Sequence, residues 1–319
     1  MEGSQTLLQA MVDLPKTLYH YTSMKGLLGI VQDRQIWASH IRYLNDLTEQ
    51  DHIWSLVRSR VAERLAHAKD RPVKTRLEGL LAAVDQRPSQ DIYVASFSAD
   101  GDLLSQWLSY CPQGNGYAIG FGARSMTTNA VAQTKRMSEL AASGVPFDMG
   151  KSGGLLRVFY YSVSDRSPEY NPVIVDSLID VCSGALVLPK EALETIETAS
   201  AAFDETHPLR AALTPAFLAF SQLSLMECIV KDACFAAEKE CRLVLQGQPQ
   251  DLSFRPGKST LIPYTKYPLD LGDEYFVERV IVGPGPHPNL AVKSVKMLFE
   301  SLGHPSVEVV KSNIPYRPV

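Results

Sequence analysis

Three short groups of chemically capable residues follow one another along the chain. His20 lies in Leu18-Tyr19-His20-Tyr21-Thr22-Ser23, and two hydroxyls lie in Ser96-Phe97-Ser98. Two carboxylates, Glu238 and Glu240, stand around Lys239, ahead of Cys241-Arg242-Leu243-Val244-Leu245. Each group sits at the end of a stretch with strand-like patterning, so three distant segments are expected to converge on one ligand. An imidazole both donates and accepts hydrogen bonds. Small hydroxyls suit a ribose, and a fixed carboxylate stabilises an oxocarbenium-like transition state. Together they suit an enzyme that splits a charged N-glycoside.

Strand periodicity assigns faces to these residues. Leu18, His20 and Thr22 share one face of their strand, with Tyr19 and Tyr21 on the other. Ser96 and Ser98 project together, while Phe97 packs with Tyr93 and Ala95. The serines either hold a ribose or satisfy backbone groups at the strand end. Glu240, Arg242 and Val244 face one way, with Cys241, Leu243 and Leu245 toward the core. If residue 238 is also extended, both carboxylates lie on one side, about 7 Å apart at Cα. Their mutual repulsion then calls for a nearby cation, a hydroxyl-rich ligand or Arg242. Alternatively, the acidic pair is a solvated loop before an edge strand.

Further polar groups flank these segments. Asn45, Asp46 and Glu49 form either a helix cap resembling a capping box or part of the rim of the same cleft. Trp107 and Tyr110, one helical turn apart after Gln106, either stack on a base or pack in the core. Asp46, Glu49 and His52 fall on one helical face, but their spacing matches no established metal site, so no metal is expected. Gly283-Pro284-Gly285-Pro286 reads as a rigid strand-to-helix connection, because its two prolines remove donors that a phosphate cradle needs.

The elements that must position these groups interleave. Strands are expected at 18–22, 35–39, 92–97, 117–121, 157–163, 241–245, 261–264, 276–282 and 307–310. Helices follow Ser23, run from about 47 to 68, recur around Leu77 to Val84, and span about 289–302. Residues 140–154 read as a loop, and 170–232 carry helical patterning. The 319 residues are expected to form a single α+β domain with a helix-rich insertion at about 165–232. A net charge of −4 gives no global basic field for nucleic acid, although 31 Lys and Arg allow a local patch. No apolar run approaches the roughly 20 residues of a membrane span. The five cysteines lie apart without a C-x-x-C pair, and the N-terminus lacks a signal-peptide pattern. The expected location is therefore cytoplasmic, without membrane association.

The chain resembles a large, mostly bacterial family of uncharacterised proteins. The likeness runs through Tyr19-His20-Tyr21-Thr22, Asn45-Asp46 with Glu49, Ser96-Phe97-Ser98, Trp107 with Tyr110 and Gly116, Glu238 to Leu243, and Ile281 to Pro284. More remotely, it resembles the ADP-ribosyltransferase superfamily, which places an Arg or His, then a Ser-x-Ser or Tyr, then a Glu on successive strands. That resemblance implies a split mixed β-sheet with helical insertions, binding NAD as a substrate in its cleft. Glu240 would stabilise the oxocarbenium ion and Glu238 position the acceptor. His20, Tyr21, Thr22, Ser96, Ser98 and Arg242 would hold the dinucleotide. Pairing a first-strand His with Ser-x-Ser instead of Tyr departs from the usual combination, and the separation of residues 98 and 238 requires a large insertion.

The expected function is thus ADP-ribosyl transfer or NAD glycohydrolysis, a glycosyltransferase chemistry acting on a protein or nucleic-acid acceptor, as in a toxin or phage-defence effector. Two alternatives stand beside it. One is a non-catalytic binding or regulatory module with the same cleft. The other is a metal-dependent nuclease using Asp46, Glu49, Glu238 and Glu240. Oligomeric state is left open by the sequence.

Overall fold

Strand β1 (Thr17–Ser23) ends on the residue that starts the first helix. Ser23 Oγ accepts from the Gly26 N–H at 3.2 Å and so caps α1 (Met24–Asp33), whose Leu27, Ile30 and Val31 are buried. Arg34, in the left-handed region at φ 50°, closes α1 and turns the chain into β2 (Gln35–His40). The computed structural model describes residues 13–44, 49–85, 91–111, 114, 116–142, 153–161, 176, 179–180, 227–246, 252–269 and 276–316.

Beyond β2 come α2 (Glu49–His67), α3 (Arg71–Asp85), β3 (Ile92–Ser98), α4 (Leu104–Tyr110), β4 (Gly116–Gly122) and α5 (Ala123–Ala142). Next are β5 (Gly153–Arg157), β6 (Phe159–Tyr161), β7 (Val230–Asp232), a 3-10 turn over Ala233–Glu238 and β8 (Glu240–Gln246). The chain continues through β9 (Ser253–Pro256), β10 (Leu261–Pro268), β11 (Val277–Val282), α6 (Pro288–Ser301) and β12 (Glu308–Lys311). The architecture is α+β.

Contacts divide the chain into two compact units. One comprises Met1–Gln9, Asp46–Gln90 and Phe159–Ala233. In it α2 and α3 bury Ile53, Val57, Val61, Leu80 and Val84, the residues whose helical spacing stands out in the sequence. β6 and β7 pair in parallel, and the buried Trp54 indole N–H donates to Glu227. The helix-rich insertion expected at 165–232 falls mostly outside the described residues.

The other unit comprises Ala10–Asn45, Asp91–Val158 and Cys234–Val319. It holds a ten-stranded mixed sheet in the order β12-β11-β4-β1-β3-β2-β10-β9, with β8 pairing β3 and β5 pairing β8. Every ladder is antiparallel except β11–β12. Leu18, Phe97, Phe121, Cys241, Leu243 and Leu245 share the main apolar core on one face of this sheet. Tyr21, Trp107, Cys111, Ala118 and Ile281 form a smaller cluster on the other.

Strand β3 is the hinge of the topology. Along its whole length it pairs with β8, from Ile92↔Gln246 to Ser98↔Glu240. Its opposite edge is shared between two strands. There β2 takes Tyr93 and Val94, and β1 meets β3 only at Tyr19↔Ser98. Between those pairings Ala95, Ser96 and Phe97 have no registered strand partner on that edge.

Two expectations from the sequence are corrected, and one helix is added. The strand expected at 157–163 is two strands, β5 ending at Arg157 and β6 starting at Phe159, which belong to different units. The loop expected from 140 is helical to Ala142, and Gly153 and Gly154 already belong to β5. Helix α5 is hidden in the sequence because its buried side carries Asn129 and Gln133 among the apolar residues.

Gly283 shows how closely the C-terminal strands press on α4. Its N–H donates to the Gly116 carbonyl at 2.9 Å, and an added Cβ would lie 2.9 Å from the Trp107 ring and 3.0 Å from that carbonyl. Neither neighbour can yield without moving a strand or a buried indole. Gly283→Ala is therefore expected to lower stability by about 1–3 kcal/mol in a denaturant titration. Gly29→Ala, in open space on α1, should be neutral or stabilising.

Candidate functional site

Where β1 leaves β3, the Ser96 carbonyl has no strand N–H facing it on that side, and the His20 ring supplies the missing donor. His20 Nδ1 lies 2.9 Å from Ser96 O. A carbonyl oxygen only accepts, so Nδ1 carries the proton, and Nε2 of the neutral ring is left as an acceptor. Burial lowers the His20 pKa below the ordinary histidine value, with the Ser96 bond partly opposing that shift. The neutral ring is therefore the form held in the fold. The ring also lies against Phe97, with centroids 5.7 Å apart.

A cleft opens at this point, lined by Tyr19, His20, Tyr21, Ser96, Phe97, Ser98, Gln106, Tyr110, Glu238 and Glu240. Its volume is about 60 Å³, room for about two water molecules. Strand register puts Tyr19, Ser98 and Glu240 in one row across β1, β3 and β8, with Ser96 and Arg242 as neighbours in the next row. Gln106 and Tyr110 reach the cleft from α4.

Glu240 is not an isolated carboxylate. Arg242, two residues along β8 on the same face, donates from Nε to Oε1 at 2.8 Å and from Nη2 to Oε2 at 2.9 Å. The side chains are 6% and 1% exposed. A fork of this geometry fixes the carboxylate plane, and each charge compensates the other away from water. Arg242 does not itself line the cleft and acts on it through Glu240.

Glu238 is not extended, so the condition that would set both carboxylates on one side of β8 is not met. It ends the 3-10 turn, and Lys239 follows in the left-handed region at φ 48°. That backbone reversal costs a non-glycine residue about 1–2 kcal/mol, and several bonds hold it. Ser98 Oγ donates to Glu238 O at 2.7 Å and accepts from Asp100 N at 3.1 Å. Ala99 N donates to Lys239 O at 2.9 Å, and Lys239 Nζ lies 3.0 Å from Asp100 Oδ2. Burial alone would raise the Asp100 pKa, but the Asp102 N–H and the Lys239 ammonium outweigh it and hold the group below its ordinary value. Ser98 is thus a clip between two turns, and its hydroxyl sets where the Glu238 carboxylate enters the cleft.

The other expected site residues are distributed as follows. Tyr21 lines the cleft, and its hydroxyl accepts from Leu103 N and donates to Asp100 O, both at 2.9 Å, which pins the loop into α4. Thr22 lies against Gly26 of α1 and is not among the lining residues. Trp107 is 2% exposed, packed edge-on to Tyr21 with its indole N–H on Asp102 Oδ1, so it supports the cleft from beneath instead of forming its rim. Tyr110, 39% exposed, is the aromatic at the rim. Asn45, Asp46 and the Glu49 side chain lie outside the described residues, as does the His52 side chain.

Tyr19 and Gln106 line the cleft without having been singled out. Tyr19 shares the face of Ser98 through their register pairing, a cross-strand relation that sequence does not carry. Gln106, buried one residue before Trp107, is an unusual polar side chain on the inner side of a short helix. Cys111 and Cys241 lie near these elements, but burial pushes both thiols up to about 12, so neither offers a thiolate at neutral pH. Among the described residues, no group of three His, Cys, Asp or Glu side chains is placed to hold a metal, and no helix is long and apolar enough to cross a membrane. Comparison of the chain with protein-family models, curated proteins and solved structures found no match.

A histidine whose folded pKa lies below the unfolded value near 6.5 binds its proton more readily in the unfolded chain. Its contribution is complete above about pH 6.5 and is lost as pH falls toward the folded value. Thermal unfolding from pH 7.5 down to 5 should therefore show a steeper loss for the wild type than for His20→Gln. His304, also lowered by burial, is common to both proteins and cancels in the difference.

Proposed function

We propose that the chain is an NAD-consuming enzyme of the ADP-ribosyltransferase type, cleaving the nicotinamide N-glycosidic bond and passing the ADP-ribosyl group to a protein or nucleic-acid acceptor, or to water. The observation that carries this reading is the convergence of His20, Ser96, Ser98, Glu238 and Glu240, from three separated segments, on one cleft where a mixed sheet parts between β1 and β2. A split sheet with a histidine on its first strand and a late glutamate is the arrangement that chemistry uses in the superfamily the sequence resembles.

In this reading, His20 Nε2 accepts from a ribose hydroxyl. The Glu240 carboxylate, held in one orientation by Arg242, accepts from the hydroxyl beside the reacting carbon. The C1′–N bond breaks, its electron pair leaves with neutral nicotinamide, and the ribosyl oxocarbenium ion is stabilised by the carboxylates. Glu238, nearer solvent, takes the proton of the attacking acceptor. The cleft is far below the roughly 300–1,000 Å³ of preformed ligand pockets. Substrate entry therefore widens it, with the exposed Tyr110 at its rim.

One feature of the same site favours a second reading, a binding or regulatory module without chemistry. Both Glu240 oxygens are engaged by a guanidinium, which offsets the negative field an oxocarbenium ion requires. Turnover separates the two. Purified wild-type protein incubated with NAD should release nicotinamide, measured by chromatography. Glu240→Gln removes the charge that two hydrogen bonds tie to the buried Arg242 guanidinium, so it should lose stability, by up to about 3–5 kcal/mol. The double variant Glu240→Gln/Arg242→Met removes both charges of the pair and should regain part of that stability, yet release no nicotinamide. Absence of release from the wild type, with NAD binding retained, would establish the second reading.

A further inference from the structure

The same sheet face continues from β3 across β2 to β10 and β9, and its character changes there. Ser39 pairs with both Val94 and Tyr264, and Trp37 pairs with Lys266. Period-2 alternation then sets Trp37, Ser39, Tyr264 and Lys266 on the face that carries Ser96 and Glu240. Trp37 stacks on Tyr264 with centroids 4.3 Å apart and planes 25° from parallel. Tyr264 beneath is 6% exposed, while Trp37 on top is 43% exposed, so a large aromatic ring is held flat with an outer face toward solvent.

Two cations share the face of that ring. Lys266 is its exposed cross-strand neighbour. Arg255 on β9 is fixed to the same face by donation from Nη2 to Ser39 Oγ at 3.1 Å. Residues 35–44 and 252–269, which hold these strands and their turn, contain Arg42, Arg255, Lys258 and Lys266 but no Asp or Glu. Asp33, 3.5 Å from Gln35 Nε2, and Asp91, 3.1 Å from His40 Nε2, are the described carboxylates beside these strands, while Asp46, Asp251 and Asp270, which flank the two segments in the sequence, lie outside the described residues. Among the described residues of these strands, the charged side chains around this buttressed aromatic ring are all cations, within a chain of net charge −4.

We propose that this face binds single-stranded nucleic acid, with Trp37 as a stacking platform for a base and Arg255, Lys258 and Lys266 on the phosphates. Stacking on an aromatic side chain contributes about 1–3 kcal/mol per base and tolerates any sequence, and neighbouring cations follow the backbone. The opposite face of the same hairpin exposes Phe254, 60% accessible, opposite Pro263, and provides an internal control. In the reaction proposed above the bound strand is the acceptor, a step that rests on that reading; the binding itself does not.

The test is a fluorescence-anisotropy titration of the full chain, without NAD, against labelled single-stranded DNA and RNA of about 12 nucleotides. Binding is expected, with quenching of tryptophan emission. Trp37→Ala should weaken it about 5- to 150-fold, the range set by one lost stack. Lys266→Ala should weaken it and reduce the salt dependence by about one phosphate contact. Phe254→Ser should bind as the wild type does. Absence of binding, equal binding by Trp37→Ala, an equal loss in Phe254→Ser, or sedimentation showing Trp37 in a dimer contact would overturn the proposal. Nicotinamide release is read separately, so loss of the NAD reading leaves this result interpretable.

Discussion

The site depends on a single unmet hydrogen-bonding group. Strand β3 is fully paired with β8 on one edge, but its other edge passes from β2 to β1, and Ser96 lies between them. A carbonyl left unpaired inside a protein costs roughly 1–3 kcal/mol, and the Nδ1–H of His20 removes that cost from 2.9 Å. The same bond fixes the tautomer and aims the remaining nitrogen as an acceptor. A sheet that parts is thereby stabilised at its gap, and one imidazole nitrogen is left to accept. A lysine or arginine could also donate to that carbonyl but would present no acceptor.

A second constraint couples the site to the fold on the opposite strand. Glu240 and Arg242 face the same way on β8, and their pairing offsets part of the cost of burying both charges. Their pairing orients the carboxylate, and it also makes the site's acidic residue part of the stability of the sheet. The neighbouring turn is held similarly. Lys239 adopts a left-handed conformation, and the Ser98 hydroxyl ties that turn to the one at Asp100. Chemically suggestive residues in this protein therefore carry structural duties as well, and Ser98 and Arg242 act on the cleft chiefly by placing Glu238 and Glu240.

Strand faces were readable from sequence because alternation is a local property. Phe97, Cys241, Leu243 and Leu245 lie in the core where their period of two puts them, and Ile53, Val57 and Val61 are buried along the helix their spacing marks. What sequence could not supply is relational. Nothing local shows that β1 meets β3 at one pair only, that Thr22 lies against Gly26, or that Trp107 lies beneath Tyr21. The irregular Glu238 was also illegible, because a lysine, unlike a glycine, gives no sign of a positive φ. Helix α5 escaped notice for a different reason: buried Asn129 and Gln133 blur its apolar period.

The central claim is that His20 closes the gap at Ser96 with Nδ1–H and offers Nε2 to a ligand. Long-range proton–nitrogen correlation spectra of ring-labelled histidine, assigned with His20→Gln, read both nitrogens directly. At neutral pH the account predicts a neutral ring protonated at Nδ1, with the Nε2 resonance moving when NAD is added. A ring protonated at Nε2, an imidazolium at neutral pH, or an Nε2 signal indifferent to saturating NAD would contradict it.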